Sequence, residues 1–451
     1  METIRMSWFS GHIEKKGEKI AIIYNDEYYT YAQLAAQIKD YTSFVKTNIP
    51  QGEVVALISD YSFESIAFFF ALAENRNIIV PVASKIRSET DERIRIANCS
   101  YSISIVKKEP VIVKNETPEG VHSLIGDLKQ KNHSGLILFS SGTSGAPKAM
   151  IHDLDNLLDS YKHKKQKELI FLILLMFDHI GGLNTLLTCL STGVTSVIPG
   201  NREPGYVCSL IEKYHVNVLP ASPTFLNLIL ISGSEEKHDL SSLKMITYGT
   251  EPMPDSLLLK LKDAFPRVKF LQTFGTSETG ISQITSKSSA SNFMKFGDPD
   301  TEFKIVDSEL WIRSKTQILG YLNSGMEHFT EDGWFRTGDI VEESDDGYIK
   351  IIGRNKDIIN VGGEKVVPSE VESVLLRMPG IKDCIVYGEF NPITGQMVVA
   401  KVLFEETVKA SELKKLITNF CNGKIERYKI PAKIVLAAGS EFSERFKKKR
   451  N

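Results

Sequence analysis

Two glycines, several hydroxyl side chains and a lysine follow directly after an apolar stretch at residues 136–139. The polar stretch runs through Ser140, Ser141, Gly142, Thr143, Ser144 and Gly145 to Lys148. Glycine lets backbone N–H groups approach phosphate oxygens, hydroxyls add hydrogen-bond donors, and lysine adds a positive charge. The common phosphate-loop pattern GxxxxGK[ST] is absent, because Lys148 follows Gly145 by three residues. We therefore predict a polyphosphate-binding loop of another type, with an ordinary surface connection as the alternative.

Four further segments carry polar residues that could complete such a site. They lie at residues 248–252, 272–279, 334–339 and 353–372. The first two follow predicted strands, and the third reads as a loop. Together with the phosphate loop they form five motifs in a fixed order, which is far more specific than any one of them alone.

The elements that must position these motifs alternate between apolar strands and amphipathic helices. Residues 53–59, 77–82, 216–220 and 268–274 read as strands, and 62–73, 204–215 and 255–265 as helices. This alternation predicts parallel sheets covered by helices on both faces. Residues 302–313 and 340–353 read as antiparallel strands, the second pair turning at 345–347, and the nine apolar residues 169–177 as a buried parallel strand.

The character of the chain changes after Arg354. Residues 355–451 hold predicted helices at 368–378 and 411–420, short strands near Ile385 and Val398, and a basic tail. We predict an α/β protein with a large N-terminal domain of helix-covered parallel sheets, residues 1–354. A small mobile α+β C-terminal domain follows at residues 355–451.

Composition excludes several classes of protein. A chain of 451 residues with 42% hydrophobic and 24% charged residues is expected to form two to four soluble cores. A net charge of −2 gives no reason to expect a strongly basic surface that binds nucleic acid. Five scattered cysteines favour buried thiols in a reducing compartment, and the longest apolar run is too short to cross a bilayer. With no signal-like apolar core at the N-terminus, we expect a cytoplasmic protein without a membrane span.

The five motifs resemble those of the adenylate-forming superfamily, which includes acyl-CoA synthetases, nonribosomal adenylation domains and firefly luciferase. The likeness covers nearly the whole chain. It implies a reaction of ATP with a carboxylic acid, giving an acyl-adenylate and pyrophosphate, with Mg²⁺ lowering the barrier. It also implies a second step, in which the thiol of CoA or the phosphopantetheine arm of an acyl carrier protein takes the acyl group.

The resemblance assigns roles to individual residues. Residues 140–148 would hold the β- and γ-phosphates with Thr143 as a direct ligand, and Thr276 would contact the α-phosphate. Glu278 would hold Mg²⁺, because a hard cation prefers a carboxylate oxygen beside the phosphates. Asp339 would accept from both ribose hydroxyls, and Arg354 would add a charged donor. Gly249, Thr250 and Glu251 would line the adenine, with Phe274 stacked on the base, and Gly275 would also belong to the ATP-binding residues.

Structural roles are the alternatives for four of these residues. Glu278 could be a surface carboxylate at a helix start, and Asp339 a turn former. Phe274 could be a plain core ring, and Arg354 could pair with Glu370 or Asp357.

The resemblance also identifies moving parts. Lys356 matches the hinge about which the small domain rotates between adenylation and thioester formation. Gly362 and Gly363 match the loop beside the tunnel for the thiol arm. In the tail, Lys447 falls where the family has its catalytic lysine, but Phe446 replaces the usual glycine. Arg445 is a competing alignment, and a solvated tail without a catalytic role is a third.

The segment 176–184 matches the acid-pocket motif of the family. His179 falls on the histidine beside the acid and is proposed as catalytic, with a core histidine as the alternative. Ile180 and Gly181 follow it. Amino-acid-activating members place Asp where this chain has Ile180, and an apolar side chain cannot pair with an ammonium group. We expect an aryl or fatty acid without an α-amine.

Three readings of function stay open. The first is an acid–thiol ligase, and the second is a stand-alone adenylating enzyme with an amine or other acceptor. The third is a degenerate nucleotide-binding homologue, suggested by the irregular tail. The sequence names neither the acid nor the oligomeric state.

Overall fold

Helices and strands alternate along most of the chain in the computed structural model, which describes residues 7–116, 120–140 and 147–439. The helices of this described part are α1 (Trp8–Glu14), α2 (Tyr31–Asn48), α3 (Phe63–Glu74), α4 (Arg87–Ile96), α5 (Ser123–Lys131), α6 (Leu154–Asp159), α7 (Ile180–Thr192), α8 (Pro204–Tyr214), α9 (Pro223–Ser232), α10 (Ser234–Lys237), α11 (Asp255–Ala264), α12 (Pro368–Leu375) and α13 (Ala410–Cys421). Short 3₁₀ turns occur at Asn355–Asp357 and Arg427–Lys429.

The strands are numbered in the same way along the described residues. They are β1 (Ile20–Tyr24), β2 (Glu27–Thr30), β3 (Val54–Ile58), β4 (Ile78–Val82), β5 (Tyr101–Val106), β6 (Glu109–Lys114), β7 (Gly135–Ser140), β8 (Lys148–Asp153), β9 (Ile170–Leu172), β10 (Thr195–Ile198), β11 (Val218–Ala221), β12 (Met245–Tyr248), β13 (Lys269–Gln272), β14 (Phe274–Thr276), β15 (Gly280–Ser282), β16 (Ile284–Ser286), β17 (Met294–Phe296), β18 (Thr301–Val306), β19 (Glu309–Ser314), β20 (Gly320–Tyr321), β21 (Phe335–Glu343), β22 (Ile349–Arg354), β23 (Ile359–Val361), β24 (Glu364–Val366), β25 (Ile381–Asn391), β26 (Gly395–Phe404) and β27 (Lys433–Leu436).

Four larger sheets organise these strands. The first sheet has the order β20-β8-β7-β4-β3-β5-β6 and the second the order β13-β12-β11-β9-β10-β1-β2. The inner strands of both pair in parallel, whereas β8 runs antiparallel to β7 and β2 to β1. The antiparallel sheet has the order β16-β17-β22-β21-β19-β18, and the C-terminal sheet joins β24-β23-β26-β25 with β27 beside β26.

Local sequence explains where the main helices begin. The Thr30 hydroxyl accepts a hydrogen bond from the backbone amide of Gln33, and the Gln33 side-chain oxygen accepts one from the backbone amide of Thr30, so a capping box starts α2. Ser62 and Ser65 form the same arrangement at α3. Helix α3 is apolar on nearly all faces, which fits its burial in the core.

One core holds the first two sheets together. Side chains from β1, β3, β4 and β7 share a continuous cluster of buried apolar residues with α2, α3 and α7. A second cluster packs α8, α9 and α11 on the second sheet, and the C-terminal sheet has a core of its own with α12 and α13. The structure therefore confirms the predicted α/β class, with helix-covered sheets followed by a smaller α+β part.

The apolar run at 169–177 is a correction to the sequence prediction. We expected a buried strand of nine residues, but β9 spans only Ile170–Leu172. The chain leaves the sheet after the Ile173 amide donates to the carbonyl of Val197, and the remainder forms a partly buried loop that leads into α7. Leu172, Ile173, Leu174 and Phe177 are buried as the apolar composition predicted, but composition alone does not separate a strand from a partly buried loop.

The last strand of the antiparallel sheet ends at Arg354, and the C-terminal sheet starts at Ile359 after one 3₁₀ turn. The division into domains after Arg354 stays a prediction. All five cysteines are buried and free of disulfides. Among the described helices, none has both the length and the apolar character that a membrane crossing requires.

Candidate active site

The predicted phosphate loop connects two neighbouring antiparallel strands of the first sheet. Ser140 ends β7 and faces Lys148, the first residue of β8, across the ladder. Its central residues Ser141, Gly142, Thr143, Ser144 and Gly145 lie outside the described residues. Asn323 accepts from the amide of Ala149 at 2.9 Å and donates to the carbonyl of Pro147 at 2.8 Å. The C-terminal end of the loop is therefore fixed by a side chain that the sequence motif does not contain.

Lys148, Tyr321 and Glu278 form a connected group beside this loop. The Lys148 Nζ lies 5.4 Å from the centre of the Tyr321 ring, a cation–π distance. The Tyr321 hydroxyl donates to Glu278 Oε1 at 3.2 Å. Burial and the Glu278 carboxylate raise the pKa of the Tyr321 phenol, which stays a neutral donor. A basic group from the phosphate loop and the candidate magnesium ligand thus share one aromatic partner.

Sequence analysis missed Tyr321, and no local signal could have revealed it. It lies in the two-residue strand β20, which pairs with β8 through Tyr321 and Met150, far along the chain from either partner. Its place in the site depends entirely on that long-range pairing.

Asp339 and Arg354 face each other on β21 and β22. Arg354 Nε donates to Asp339 Oδ1 at 3.0 Å, and Asp339 is only 5% exposed. Burial raises the pKa of Asp339 against the opposing effect of Arg354, while Asp339 raises the pKa of Arg354. The Glu278 carboxylate contributes to raising the pKa of both groups, so it lies near this pair.

The structure shows which carboxylate pairs with Arg354, for which the sequence offered Glu370 and Asp357 as structural partners. Its ion pair is with Asp339, and Asp357 adds a weaker electrostatic effect. Glu370 pairs with Lys429. The ribose-binding roles of Asp339 and Arg354 stay predictions, but the two residues that the resemblance assigned to one sugar do lie together.

The segment after β12 makes a close turn against the neighbouring strand. A Cβ at Gly249 would lie 2.5 Å from Thr273 Oγ1 and 2.7 Å from its carbonyl oxygen, so only glycine fits. Thr250 has a left-handed backbone with φ of +74°, and its buried hydroxyl has no hydrogen-bond partner among the described residues. Glu251 accepts from the amide of Thr224, at the start of α9, at 2.7 Å. The three residues form one turn, and their adenine-lining role stays a prediction.

The next motif is a tight hairpin. Phe274 is 6% exposed and packs edge-on to Phe296 within the core of the antiparallel sheet. Stacking on adenine needs an open ring face, so that role stays a prediction beside the core role. At Gly275 a Cβ would lie 2.6 Å from the carbonyl oxygen of Gly280.

Thr276 closes the turn that presents Glu278. Its Oγ1 accepts from the amide of Thr279 at 3.1 Å and lies 3.0 Å from the Thr279 hydroxyl. An α-phosphate would therefore have to share this hydroxyl with the hydrogen bonds of the turn. The α-phosphate contact stays a prediction.

The acid-pocket segment lies at the N-terminus of α7. His179 caps this helix, its Nδ1 accepting from the amide of Gly181 at 3.0 Å, which assigns the proton of the neutral ring to Nε2. Ile180 is 4% exposed. A Cβ at Gly182 would lie 2.2 Å from the carbonyl oxygen of Met176, so the loop passes directly over the first turn of the helix.

The hinge and thiol-loop candidates lie beyond the antiparallel sheet. Lys356 is exposed in the 3₁₀ turn Asn355–Asp357. Gly362 and Gly363 have φ of +62° and +95° in the turn between β23 and β24, and the Gly362 amide donates to the carbonyl of Thr394 at 2.8 Å. Lys447 and Arg445 lie outside the described residues. The hinge, tunnel and tail roles stay predictions.

His152 is a second residue that sequence analysis missed. It lies on β8, 1% exposed, and its ring makes no well-aligned hydrogen bond with the described residues. Burial lowers its pKa to about 4, although the nearby backbones of Thr316 and Ser277 offset part of that effect. A neutral imidazole is therefore enclosed beneath the segment that carries Glu278.

The comparisons with known proteins identify the family. Residues 9–322 match the model of the AMP-binding enzyme, and residues 370–444 match that of the AMP-binding enzyme C-terminal domain. The chain belongs to the AMP-binding enzyme family, which confirms the predicted adenylate-forming superfamily.

The relatives and one solved structure cover almost the whole chain. An indoleacetate–CoA ligase of Aromatoleum aromaticum is 26% identical over 95% of this chain and 93% of its own. A long-chain-fatty-acid–CoA ligase of Mycobacterium tuberculosis is 26% identical over 90% and 89%. The o-succinylbenzoate CoA synthetase of Bacillus subtilis, solved with its acyl-adenylate intermediate, superposes with a TM-score of 0.78 at 22% identity, over 99% and 97%. The predicted activity, an AMP-forming acid–thiol ligase, is supported by these relatives.

Proposed function

We propose that this protein activates an aryl or fatty acid as its acyl-adenylate, with ATP and Mg²⁺, and passes the acyl group to a thiol. The observation that carries the proposal is the joined arrangement of Lys148, Tyr321 and Glu278 beside the Asp339–Arg354 pair. It combines a cation at the phosphate loop, a carboxylate for a metal and a carboxylate for ribose hydroxyls, which is what binding of a nucleoside triphosphate requires.

The proposed reaction balances in two steps. A carboxylate oxygen of the acid attacks the α-phosphorus of ATP, a P–O bond forms, and pyrophosphate leaves. The thiol then loses its proton to water, its sulfur attacks the carbonyl carbon, and AMP leaves with the bridging oxygen. In the first step two anions approach each other, and the positive charges of Lys148 and Arg354 reduce their repulsion.

The residues present fit a magnesium ion. Mg²⁺ in phosphate-transfer sites is commonly held by one or two carboxylates together with substrate phosphates and water. Glu278 offers one carboxylate, of which Oε1 accepts from Tyr321. When bound, the ion would neutralise charge that develops on the phosphates.

The start of α7 supports the choice of acid. Phe177, Ile180 and Leu183 are 0%, 4% and 0% exposed. An α-ammonium group placed beside Ile180 would lose its hydration and gain no partner from that side chain. Two of the relatives named above act on an aryl acetate and on long-chain fatty acids, as their names state. An acid that lacks an α-amine therefore suits this site.

A panel of acids in a pyrophosphate-exchange assay tests the proposal. We expect exchange with aryl acetates, benzoates or fatty acids, and little with free α-amino acids. Adding CoA, a phosphopantetheinylated carrier protein or an amine to the active acid then identifies the acceptor. Exchange with amino acids alone would overturn the assignment of the acid, and no exchange with any acid would overturn the enzymatic proposal.

A further inference from the structure

A buried ion pair holds the loop that precedes His179. Arg93 Nη1 on α4 lies 2.9 Å from Asp178 Oδ2, and the two side chains are 14% and 5% exposed. Buried charges of this kind are strongly dependent on their partner, because either one alone would be left without compensation. The position of Asp178, and of His179 next to it, therefore depends on Arg93 of α4.

The same arginine contacts the strand that enters the phosphate loop. Its guanidinium carbon lies 5.9 Å from the centre of the Phe139 ring, within cation–π range. Phe139 directly precedes Ser140, the last residue of β7. Glu89, one turn earlier on α4, lies 3.6 Å from Arg93 Nη2 and completes the surroundings of the guanidinium. Arg93 therefore contacts two segments. One is the loop at residues 173–179, the acid-pocket loop, through Asp178, and the other is the end of β7, through Phe139.

A second ion pair contacts the part of this loop that precedes Asp178. Asp60, just after β3, accepts from the amide of Phe177 at 3.2 Å and pairs with Arg202 Nη1 at 2.7 Å. Arg202 Nε donates in turn to the carbonyl of Leu174. Side chains outside the loop, Asp60, Arg93 and Arg202, therefore contact it at Leu174, Phe177 and Asp178.

We propose that Arg93 is a positioning residue, which aligns the acid-pocket loop that precedes His179 with the end of β7 at Phe139. The inference rests on the proposed function, because it assigns the carboxylic acid to the His179 segment. Arg93 acts through Asp178 and Phe139 and does not touch the reacting atoms. Its loss should weaken the use of the acid more than the binding of nucleotide.

Three variants separate alignment from mere charge compensation. Arg93→Met removes the cation and keeps much of the aliphatic length. The double variant Arg93→Met/Asp178→Asn also removes the buried carboxylate, and Arg93→Lys keeps the charge but loses the planar fork. Arg87→Met is the matched control, because Arg87 lies on the same helix with a side chain 95% exposed.

Kinetics with an acid that is active in the panel form the first measurement. We expect Arg93→Met to raise the KM for the acid at least tenfold, with the Kd for ATP·Mg²⁺ within about twofold of the unmodified protein. The double variant should recover thermal stability and keep the raised KM, and Arg93→Lys should fall between. If KM returns with stability in the double variant, or if Arg93→Met leaves KM unchanged, Arg93 has no positioning role.

Hydrogen–deuterium exchange gives a measurement that needs no substrate. We expect faster exchange in peptides that cover residues 173–183 of Arg93→Met, and unchanged exchange in Arg87→Met. Equal exchange in Arg93→Met and the unmodified protein would overturn the proposal even if no acid proved active. A failed acid panel with altered exchange would refute the proposed function alone and retain Arg93 as the residue that positions this loop.

Discussion

At the scale of single residues, the site depends on charged and polar groups that interact directly with one another. Burial of Asp339 would favour its neutral form, and Arg354 opposes this at 3.0 Å. Glu278 has a neutral hydrogen-bond donor, Tyr321, on one oxygen.

The sequence singled out Asp339, Arg354 and Glu278 because each lies in a short local motif. Tyr321, His152 and Arg93 were not singled out, because their roles come from contacts between distant segments.

The metal-binding role of Glu278 predicts a large effect of removing its charge. Glu278→Gln should lower the rate of adenylation by roughly two orders of magnitude or more, since a neutral amide holds Mg²⁺ poorly and metal stabilisation is worth several kcal/mol. Single-turnover pyrophosphate release measures this. Glu331→Gln, at an exposed position, is the control. Release at the unmodified rate from Glu278→Gln would remove Glu278 from the site.

The tail lysine predicts a defect in one half-reaction only. Lys447→Ala should abolish acyl-adenylate formation and spare both nucleotide binding and thioester formation from a supplied acyl-adenylate. Lys448→Ala and Lys449→Ala are the neighbouring controls and should have little effect. Single-turnover adenylation of these variants and of Arg445→Ala decides the alignment. A defect confined to Arg445→Ala would move the role by two residues, and equal activity throughout would mean that no tail residue is catalytic.

The buried histidine predicts a pH dependence of stability. The pKa of His152 is lowered to about 4 in the folded protein, against about 6.5 when unfolded. Between these values the unfolded state binds the extra proton, so the free energy of unfolding should fall by about 3 kcal/mol as the pH drops from 6.5 to 4. Urea unfolding across this range should show a shallower fall for His152→Leu, with exposed His163→Leu as control. Identical slopes in all three proteins would contradict the assignment.

At the scale of elements, sequence patterns located most helices and strands near the site. The predicted helix at 204–215 is α8, Pro204–Tyr214, and the predicted antiparallel pair at 340–353 turns at residues 345–347 between β21 and β22. The run at 169–177 failed as a strand because its residues cross from the sheet to the start of α7. There the backbone makes contacts that composition does not encode, such as the approach of Gly182 to Met176.

This close approach makes Gly182 a sensitive position. Gly182→Ala should lower the free energy of unfolding by about 1–3 kcal/mol, because the new Cβ would lie 2.2 Å from a backbone oxygen that cannot move aside cheaply. Gly126→Ala, inside α5 with nothing within 4 Å of its Cβ, should be neutral or stabilising by up to about 1 kcal/mol. Chemical denaturation of both variants measures the difference. Equal stabilities would contradict the described path of the loop over α7.

At the scale of the whole molecule, the site draws on several sheets. The first sheet supplies the phosphate loop and Tyr321, the antiparallel sheet supplies Asp339 and Arg354, and α7 supplies the acid-pocket segment. Helix α12 begins against the antiparallel sheet, where Ser369 Oγ donates to the carbonyl of Ile352. Rotation of the C-terminal part about Lys356 would change this contact, and that rotation stays a proposal.

The central claim is that the acid is joined to AMP before it reaches a thiol. It is tested most directly by supplying an active acid with ¹⁸O in its carboxylate, together with ATP, Mg²⁺ and CoA or the identified thiol. The account predicts that ¹⁸O appears in AMP, because the bridging oxygen of the acyl-adenylate leaves with the nucleotide. Label in inorganic phosphate with ADP as the nucleotide product, or thioester formation without label in AMP, would contradict it.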